Sequence, residues 1–356
     1  MNYYGDFIIP CCNMFNNDFQ YRLRNIKLIC ELLPENMNII IVEQIFDNTI
    51  PSYVEELQNA KLFRSDIKYI TKYYEKDFVK GWLYNIGYKN ALTNNLFLGE
   101  SDVIFSPIYW SSVIRQLNNH NFPWAHCWDK LYQISSDNMS IVRLVKPHPG
   151  GPEGGIVYFK KTFYESIGGN NEWMTGLGGM DNEIITRCAY MSRSRIKIKG
   201  DIYHIWHPFS EMKGTNTNKN LKTENKYKES RIKNRKISLF VTNKTKLVIN
   251  TMLNYKNRIG GDVPLCDTEE LFDDNGKINI PNMNSILYAD DINLPKITEI
   301  SCSPDENAEI EQKTPNTSHD KNRTQRNILY RNGLPYNNRR KSQKKIIKNP
   351  AVKFTR

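Results

Sequence analysis

Apolar positions in the first hundred residues follow two periods in turn. "DFIIPCCN" is a short apolar run that ends at a turn. "YRLRNIKLICELL" then spaces Leu23, Ile26, Ile29, Cys30 and Leu33 three and four apart, which predicts a strand followed by a helix. "MNIIIVEQ" is a continuous β-branched run of the kind a strand buried on both faces shows. "SYVEELQNAKLF" and "DFVKGWLYNIGYKNALT" read as helices, the second with Trp82, Ile86 and Ala91 inward, and "NNLFLGESDVIFSP" contains a strand that ends at Pro107. Strands alternating with helices predict an α/β fold: a mostly parallel, Rossmann-like sheet flanked by helices. The chain has no internal repeat.

After His207 the pattern loosens. "SEMKGTNTNKNLKTENKYKESRIKNRK" is polar and reads as a surface helix or a mobile segment, whereas "ISLFVTNKTKLVINTMLNY" suits a strand and a helix packed back on the domain. From about Ile297 hydrophobic residues thin out, as in segments that cannot bury enough apolar surface to fold. The expected division is a folded domain over 1–255, an appendage over 256–296 and a disordered basic tail over 297–356.

Composition changes this picture in three places. Hydrophobic residues make up 39% of the 356, enough for a buried core over most of the chain. The seven cysteines are an odd number without CxxC spacing, which argues against a disulfide framework or a structural zinc site and suits a reducing compartment. No basic segment precedes an apolar one at the N-terminus, and no apolar run approaches about eighteen residues. Neither a signal peptide nor a membrane span is therefore expected, and a cytoplasmic location is. The net charge of +11 invites an anionic partner such as RNA, yet Lys321 to Arg356 holds no acidic residue, so much of the excess sits in the tail. A tail of that kind suits a non-specific anionic partner.

Candidate chemistry lies in three stretches. In "FLGESDVIF", Glu100 and Asp102 flank Ser101 where an apolar strand has just ended. Ligands of open α/β sheets bind at the carboxyl ends of the strands, and carboxylates there can hold a hard divalent cation; the alternative is two solvated acids on a loop. In "GDIYHIWHPF", His204 and His207 are candidate metal ligands or histidines packed beside Trp206. In "GGNNEWMTGLGGMDNEIITRC", glycines at 176, 178 and 179 let the backbone bend closely around a ligand. Asp181 follows them near a helix start, with Glu183 two residues on. A carboxylate there can take a proton from an attacking hydroxyl, or it can cap the helix.

The order strand, "ESD", "GGIVYFKKTFYESIGGNNEWMTGLGGMDNE", "HIWHP" resembles the GT-A glycosyltransferases, in particular the β-galactosyltransferase and chondroitin-polymerase group. "DFVKGWLYNIGYKNAL" looks like that group's "FNRAKLLNVGFQEA" segment, and "IIIVEQ" like its second strand. The likeness spans roughly residues 6–210. It implies a GT-A fold and a metal-dependent, inverting transfer of a hexose from a UDP-sugar to a hydroxyl of a glycan or glycoconjugate, with Mn²⁺ or Mg²⁺. By the resemblance, Asp102 and Glu100 hold the metal with His204 or His207. Pro10, Glu43, Phe78, Lys80, Ser101 and Gly155 lie against the donor. Trp173, Gly178, Gly179 and Met180 lie against the acceptor, and Asp181 is the general base. Met180 stands where the group has a Glu and Leu177 where it has a Trp, which implies a different acceptor. "PCCNM" lacks the arginines of "PFRNR", which shifts diphosphate binding to the metal and Lys80. Two other readings are a catalytically inactive sugar-binding protein and an RNA-binding protein acting through its tail. The AT-rich codon usage implied by abundant Asn, Ile and Lys suits a microbe or a large virus.

Overall fold

The computed structural model describes residues 3–13, 19–60, 64, 66–106, 108–135, 140–145, 154–176, 178–192, 197–205, 217–268 and 271. The tail over 297–356 and His207 lie outside the described residues. The chain opens with β1 (Gly5–Cys12), α1 (Phe19–Leu32), β2 (Met37–Ile45), α2 (Tyr53–Asn59), β3 (Ile67–Tyr73), α3 (Lys80–Lys89) and β4 (Asn95–Gly99). Then come β5 (Val103–Phe105), α4 (Tyr109–His120), β6 (Trp124–His126), β7 (Lys130–Ile134), β8 (Ile141–Val145), β9 (Ile156–Lys160) and α5 (Lys161–Ser166). The last elements are α6 (Met180–Ser192), β10 (Asp201–Ile205), α7 (Thr217–Asn254) and α8 (Leu265–Thr268).

One sheet has the order β3-β2-β1-β4-β9-β6, with β3, β2, β1 and β4 parallel and β9 antiparallel to both its neighbours. The fold is thus α/β with a mostly parallel sheet flanked by helices. Every residue of β1 is buried, as are Met37 to Gln44 of β2, which is why the apolar residues at their centres, Phe7 to Ile9 and Ile39 to Val42, run on without polar alternation. The edge strand β3 gives no such signal: "IKYITKY" alternates buried Ile67 with exposed Lys68, in keeping with the charges that protect sheet edges. A second sheet, ordered β5-β10-β7-β8, pairs β5 antiparallel with β10.

The stretch expected to form one strand before Pro107 is two. β4 and β5 lie in different sheets, and Glu100, Ser101 and Asp102 make the turn between them. Beyond His207 a further difference appears. From Thr217 onward the polar segment and the apolar segment after it form one helix, α7. Asn234, Ile237, Val241, Thr245, Val248 and Met252, three or four apart, are all buried, so one face of α7 packs inward along much of its length. Trp173, Met174, Met180, Tyr255, Ile259 and Leu265 form a hydrophobic cluster with that face.

This cluster surrounds a buried carboxylate. Glu172 accepts from the Asn85 side-chain amide (2.7 Å) and from the backbone N–H groups of Gly260 (2.6 Å) and Leu265 (3.0 Å). Burial nevertheless pushes its carboxyl above the ordinary range, offset only in part by those donors. No helix of the described residues is long and apolar enough to cross a membrane.

Candidate active site

The site is assembled at the C-terminal ends of the parallel strands. At the end of β2, buried Gln44 donates to the carbonyls of Tyr74 (2.9 Å) and Asp77 (3.1 Å) and accepts from Val79 N–H (3.1 Å). This clasp fixes the segment leading into α3, so Lys80, its first residue, points across the strand ends. Lys80 Nζ donates to Glu100 Oε1 at 3.0 Å and to Asp181 Oδ1 at 2.9 Å. Burial works against the Lys80 charge, but the two carboxylates outweigh it and hold the ammonium well above its usual range. Burial also pushes the Glu100 carboxyl up, with Lys80 pulling it back only partly.

Glu100 is held from its other side as well. Its Oε2 accepts from Gly155 N–H at 3.0 Å, and its own N–H donates to the Gly155 carbonyl at 3.2 Å. Gly155 has φ +107°, and a Cβ there would stand 2.7 Å from Ile202 and 2.9 Å from Trp128, so glycine is required.

Asp102 and His204 meet because β10 pairs with β5. His204 is opposite Val103, and Ile205 N–H donates to the Asp102 carbonyl at 2.8 Å. His204 Nε2 then lies 3.6 Å from Asp102 Oδ2, with Arg22 Nη1 at 4.0 Å on the same oxygen. Among the described residues no group of three or more His, Cys, Asp or Glu gathers as a complete metal cage. A hard cation that keeps water and substrate phosphates in its shell needs only one or two protein ligands, and the Asp102–His204 pair fits that demand.

The glycine-rich loop is fastened between α3 and α7. Gly176 N–H donates to the Phe78 carbonyl (2.7 Å), and Thr175 Oγ1 to Asp77 Oδ2 (3.2 Å). Buried Asn234 donates to the carbonyls of Thr175 (2.7 Å) and Gly178 (3.0 Å) and accepts from Thr175 N–H (3.2 Å). Gly178 and Gly179 have φ +89° and +86°, a conformation that favours glycine. Glu183 N–H donates to the Gly179 carbonyl, so Asp181 lies inside the first turn of α6 rather than at the cap, and its side chain reaches Lys80. The capping alternative therefore does not describe Asp181.

The structure brings Lys80, Glu100, Gly155, Asp181, Gly178 and Gly179 to one rim, with Asp102 on the turn beside it and His204 on β10. It draws others away. Glu183 is buried against Arg187, with Nε–Oε1 2.7 Å and Nη2–Oε2 2.8 Å, which leaves no free oxygen edge for a substrate proton. Trp173 and Met180 are 3% and 8% exposed inside the cluster with α7, Trp173 edge-on to Tyr255, so neither offers an acceptor a face. Glu43 is buried and accepts from Ser52 Oγ (2.6 Å) and from Tyr53 and Val54 N–H, so it holds the start of α2 rather than reaching the rim. Pro10 lies within buried β1 opposite Val42, and Ser101 is buried in its turn. Phe78 is buried and contributes its carbonyl to the loop. Sequence reasoning passed over Gln44, Asn85, Glu172 and Asn234, whose partners lie 30 to 93 residues away in the chain.

Two clefts flank this rim. One of about 770 Å³ runs from Phe46, Asp47 and Tyr73 at the ends of β2 and β3 to Thr175 and to Lys233 of α7. Another, of about 600 Å³, lies between Gly178, Gly179 and Asn182 on one wall and Arg231, Ile232, Arg235, Ser238 and Leu239 of α7 on the other. The larger cleft holds none of Glu100, Asp102 and Asp181; Glu100 and Asp181 face a narrow cavity of about 20 Å³ that Gly155 also lines.

No protein-family model matches this chain, and no curated protein matches it. Among solved structures it resembles GalNAc-T7 with UDP, GalNAc and Mn²⁺ (TM-score 0.43, 11% identity), over 59% of this chain and 45% of that one. It resembles S. aureus TarS 1–349 in complex with UDP-GlcNAc (TM-score 0.42, 13% identity), over 71% of this chain and 70% of that one. The mannosyltransferase PcManGT from Pyrobaculum calidifontis, with GDP-Man and Mn²⁺, is similar at TM-score 0.39 and 12% identity over 59% of each chain. The chain thus spans less than two thirds of the GalNAc-T7 and PcManGT chains it is similar to.

Proposed function

We propose that this chain is a divalent-metal-dependent, inverting glycosyltransferase that moves a hexosyl group from a UDP-sugar to a hydroxyl of a glycan or glycoconjugate. The observation that carries this reading is the meeting of Lys80, Glu100 and Asp181 beside the Asp102–His204 pair at the C-terminal rim of the parallel sheet. The motif order in the sequence supports it independently.

In this mechanism Asp102 and His204 would hold Mn²⁺ or Mg²⁺, which supplies charge neutralisation for a diphosphate leaving group. Lys80 presents a cation at the same rim. Glu100, clamped by Gly155 N–H, keeps that ammonium in place. Asp181 accepts the proton of the acceptor hydroxyl, whose oxygen attacks the anomeric carbon from the side opposite UDP. The bond from that carbon to the diphosphate breaks and its electron pair leaves with UDP. One displacement inverts the configuration.

Slow hydrolysis of a UDP-sugar panel with Mn²⁺ tests the reading without an acceptor. Release of UDP and a sugar of inverted configuration from at least one member is expected. Folded protein that releases UDP from none of them, with either metal, overturns it.

A further inference from the structure

We infer that the acceptor carries an anionic group (phosphate, sulfate or carboxylate) and that Arg231 and Arg235 of α7 hold it in the cleft beside Asp181. The inference rests on the glycosyl-transfer reading and adds to it the chemical class of the acceptor.

The cleft of about 600 Å³ is of a size that suits a small ligand, and Gly178 and Gly179, which lead into the helix that carries Asp181, line it. Asn182, the residue after the candidate base, lines it. One wall is nearly bare: Gly178 and Gly179 present backbone alone, and a Cβ on Gly178 would lie 3.8 Å from Arg231 Cγ. On the other wall Arg231 and Arg235 stand one helical turn apart, both exposed. No carboxylate among the described residues forms an ion pair with either. Like charges four residues apart destabilise a helix, so this placement costs stability unless an anion joins them. Two guanidinium forks facing one cleft match the paired oxygens of a phosphate, sulfate or carboxylate.

Two further features favour a sugar that bears the charge. Ile232 and Leu239, 58% and 55% exposed, line the same cleft and give apolar surface for the C–H face of a pyranose. The arginines are also held in register with the base. Asn234, between them in sequence, bonds the carbonyls of Thr175 and Gly178. The wall that reads the anion and the loop that precedes Asp181 are thereby one unit. Across α7 ten Lys and Arg face two Glu, so the field along the helix attracts anions to the cleft.

The test uses the full chain, a UDP-sugar it turns over, and matched acceptors: glucose beside glucose 6-phosphate and glucuronate, and N-acetylglucosamine beside its 6-sulfate. At least one charged member is expected to exceed its neutral partner in kcat/KM by roughly 10-fold or more. In Arg231→Gln/Arg235→Gln that ratio should collapse towards one through KM, with kcat little changed. Calorimetric binding of the same sugars, with and without the double substitution, reads the arginines even where transfer is slow. Neutral acceptors preferred or equal, with charged sugars binding no more tightly, would overturn the inference. So would a double variant that loses UDP affinity, which would place the arginines on the donor. Absence of UDP-sugar hydrolysis by wild type is a separate result that sinks the underlying reading instead.

Discussion

Asp181 and Glu183 stand two residues apart in the first turn of α6, on faces with opposite surroundings. Asp181 is 38% exposed and meets Lys80, a single point charge on a flexible stem that a phosphate can compete for. Glu183 is 1% exposed and meets Arg187, whose fork engages both its oxygens while Nη1 donates to the carbonyls of Ile167 and Gly169. One carboxylate has a partner it can exchange, and the other has a partner that is itself fully engaged. The difference separates a group able to move a proton from a group that holds a helix in place.

Substitution at each position can break this contrast. The largest effect is expected from Asp181→Asn, which keeps the size of the side chain but cannot accept a proton at neutral pH. Turnover should fall about 10²–10⁴-fold, with UDP affinity and Tm close to wild type in the same preparation. Near-normal kcat would remove Asp181 from the chemistry.

Glu183→Ala should do the reverse. It strands the Arg187 charge in the interior at a cost of about 3–5 kcal/mol, read as a lowered Tm or denaturant midpoint. The kcat of the molecules that remain folded should stay within a few-fold. A large fall in kcat at unchanged Tm would assign Glu183 to catalysis and erase the distinction between the two faces.

A smaller effect tests what positions the exposed face. Asn234→Ala leaves the Thr175 and Gly178 carbonyls short of a donor, worth about 1–3 kcal/mol for the buried groups. Because the loop leads into Asp181, transfer should weaken more than UDP binding. Deleting residues from 300 onward should have the smallest effect, since that composition suits a tether. Steady-state transfer to a small acceptor by the shortened protein would check it, a large loss placing the tail at the site.

The sequence showed some of this and hid the rest for physical reasons. β1 and β2 are legible because their central apolar residues are buried one after another, and α1 because Leu23, Ile26, Ile29 and Cys30, three or four apart, face the core. Asp181 is legible because three glycines and a helix start converge on it. The Glu183–Arg187 spacing of four is visible in the sequence, but nothing local says that this side of α6 is the interior. α7 reads as two elements because polar residues occupy its buried face. Thr245 and Thr251 are tolerated there since each hydroxyl donates to a carbonyl one turn back, Val241 and Leu247. With that face unrecognised, Trp173 and Met180 look free to meet a ligand, whereas α7 covers them.

Glu172 adds a consequence in time. A ribosome makes this carboxylate well before the groups that satisfy it: the Leu265 N–H follows 93 residues later. At roughly 5–20 residues per second the interval is about 5–20 s. Through most of it Asn85 is, among the described residues, the one donor to Glu172 already made, too little to bury an ionised group. The adjoining Trp173, the glycine-rich loop and the start of α6 therefore settle only once α7 and the turn at Gly260 have emerged. The nascent chain thus completes β1 to β4 early, and the glycine-rich loop that leads into Asp181 settles only after α7 has been made.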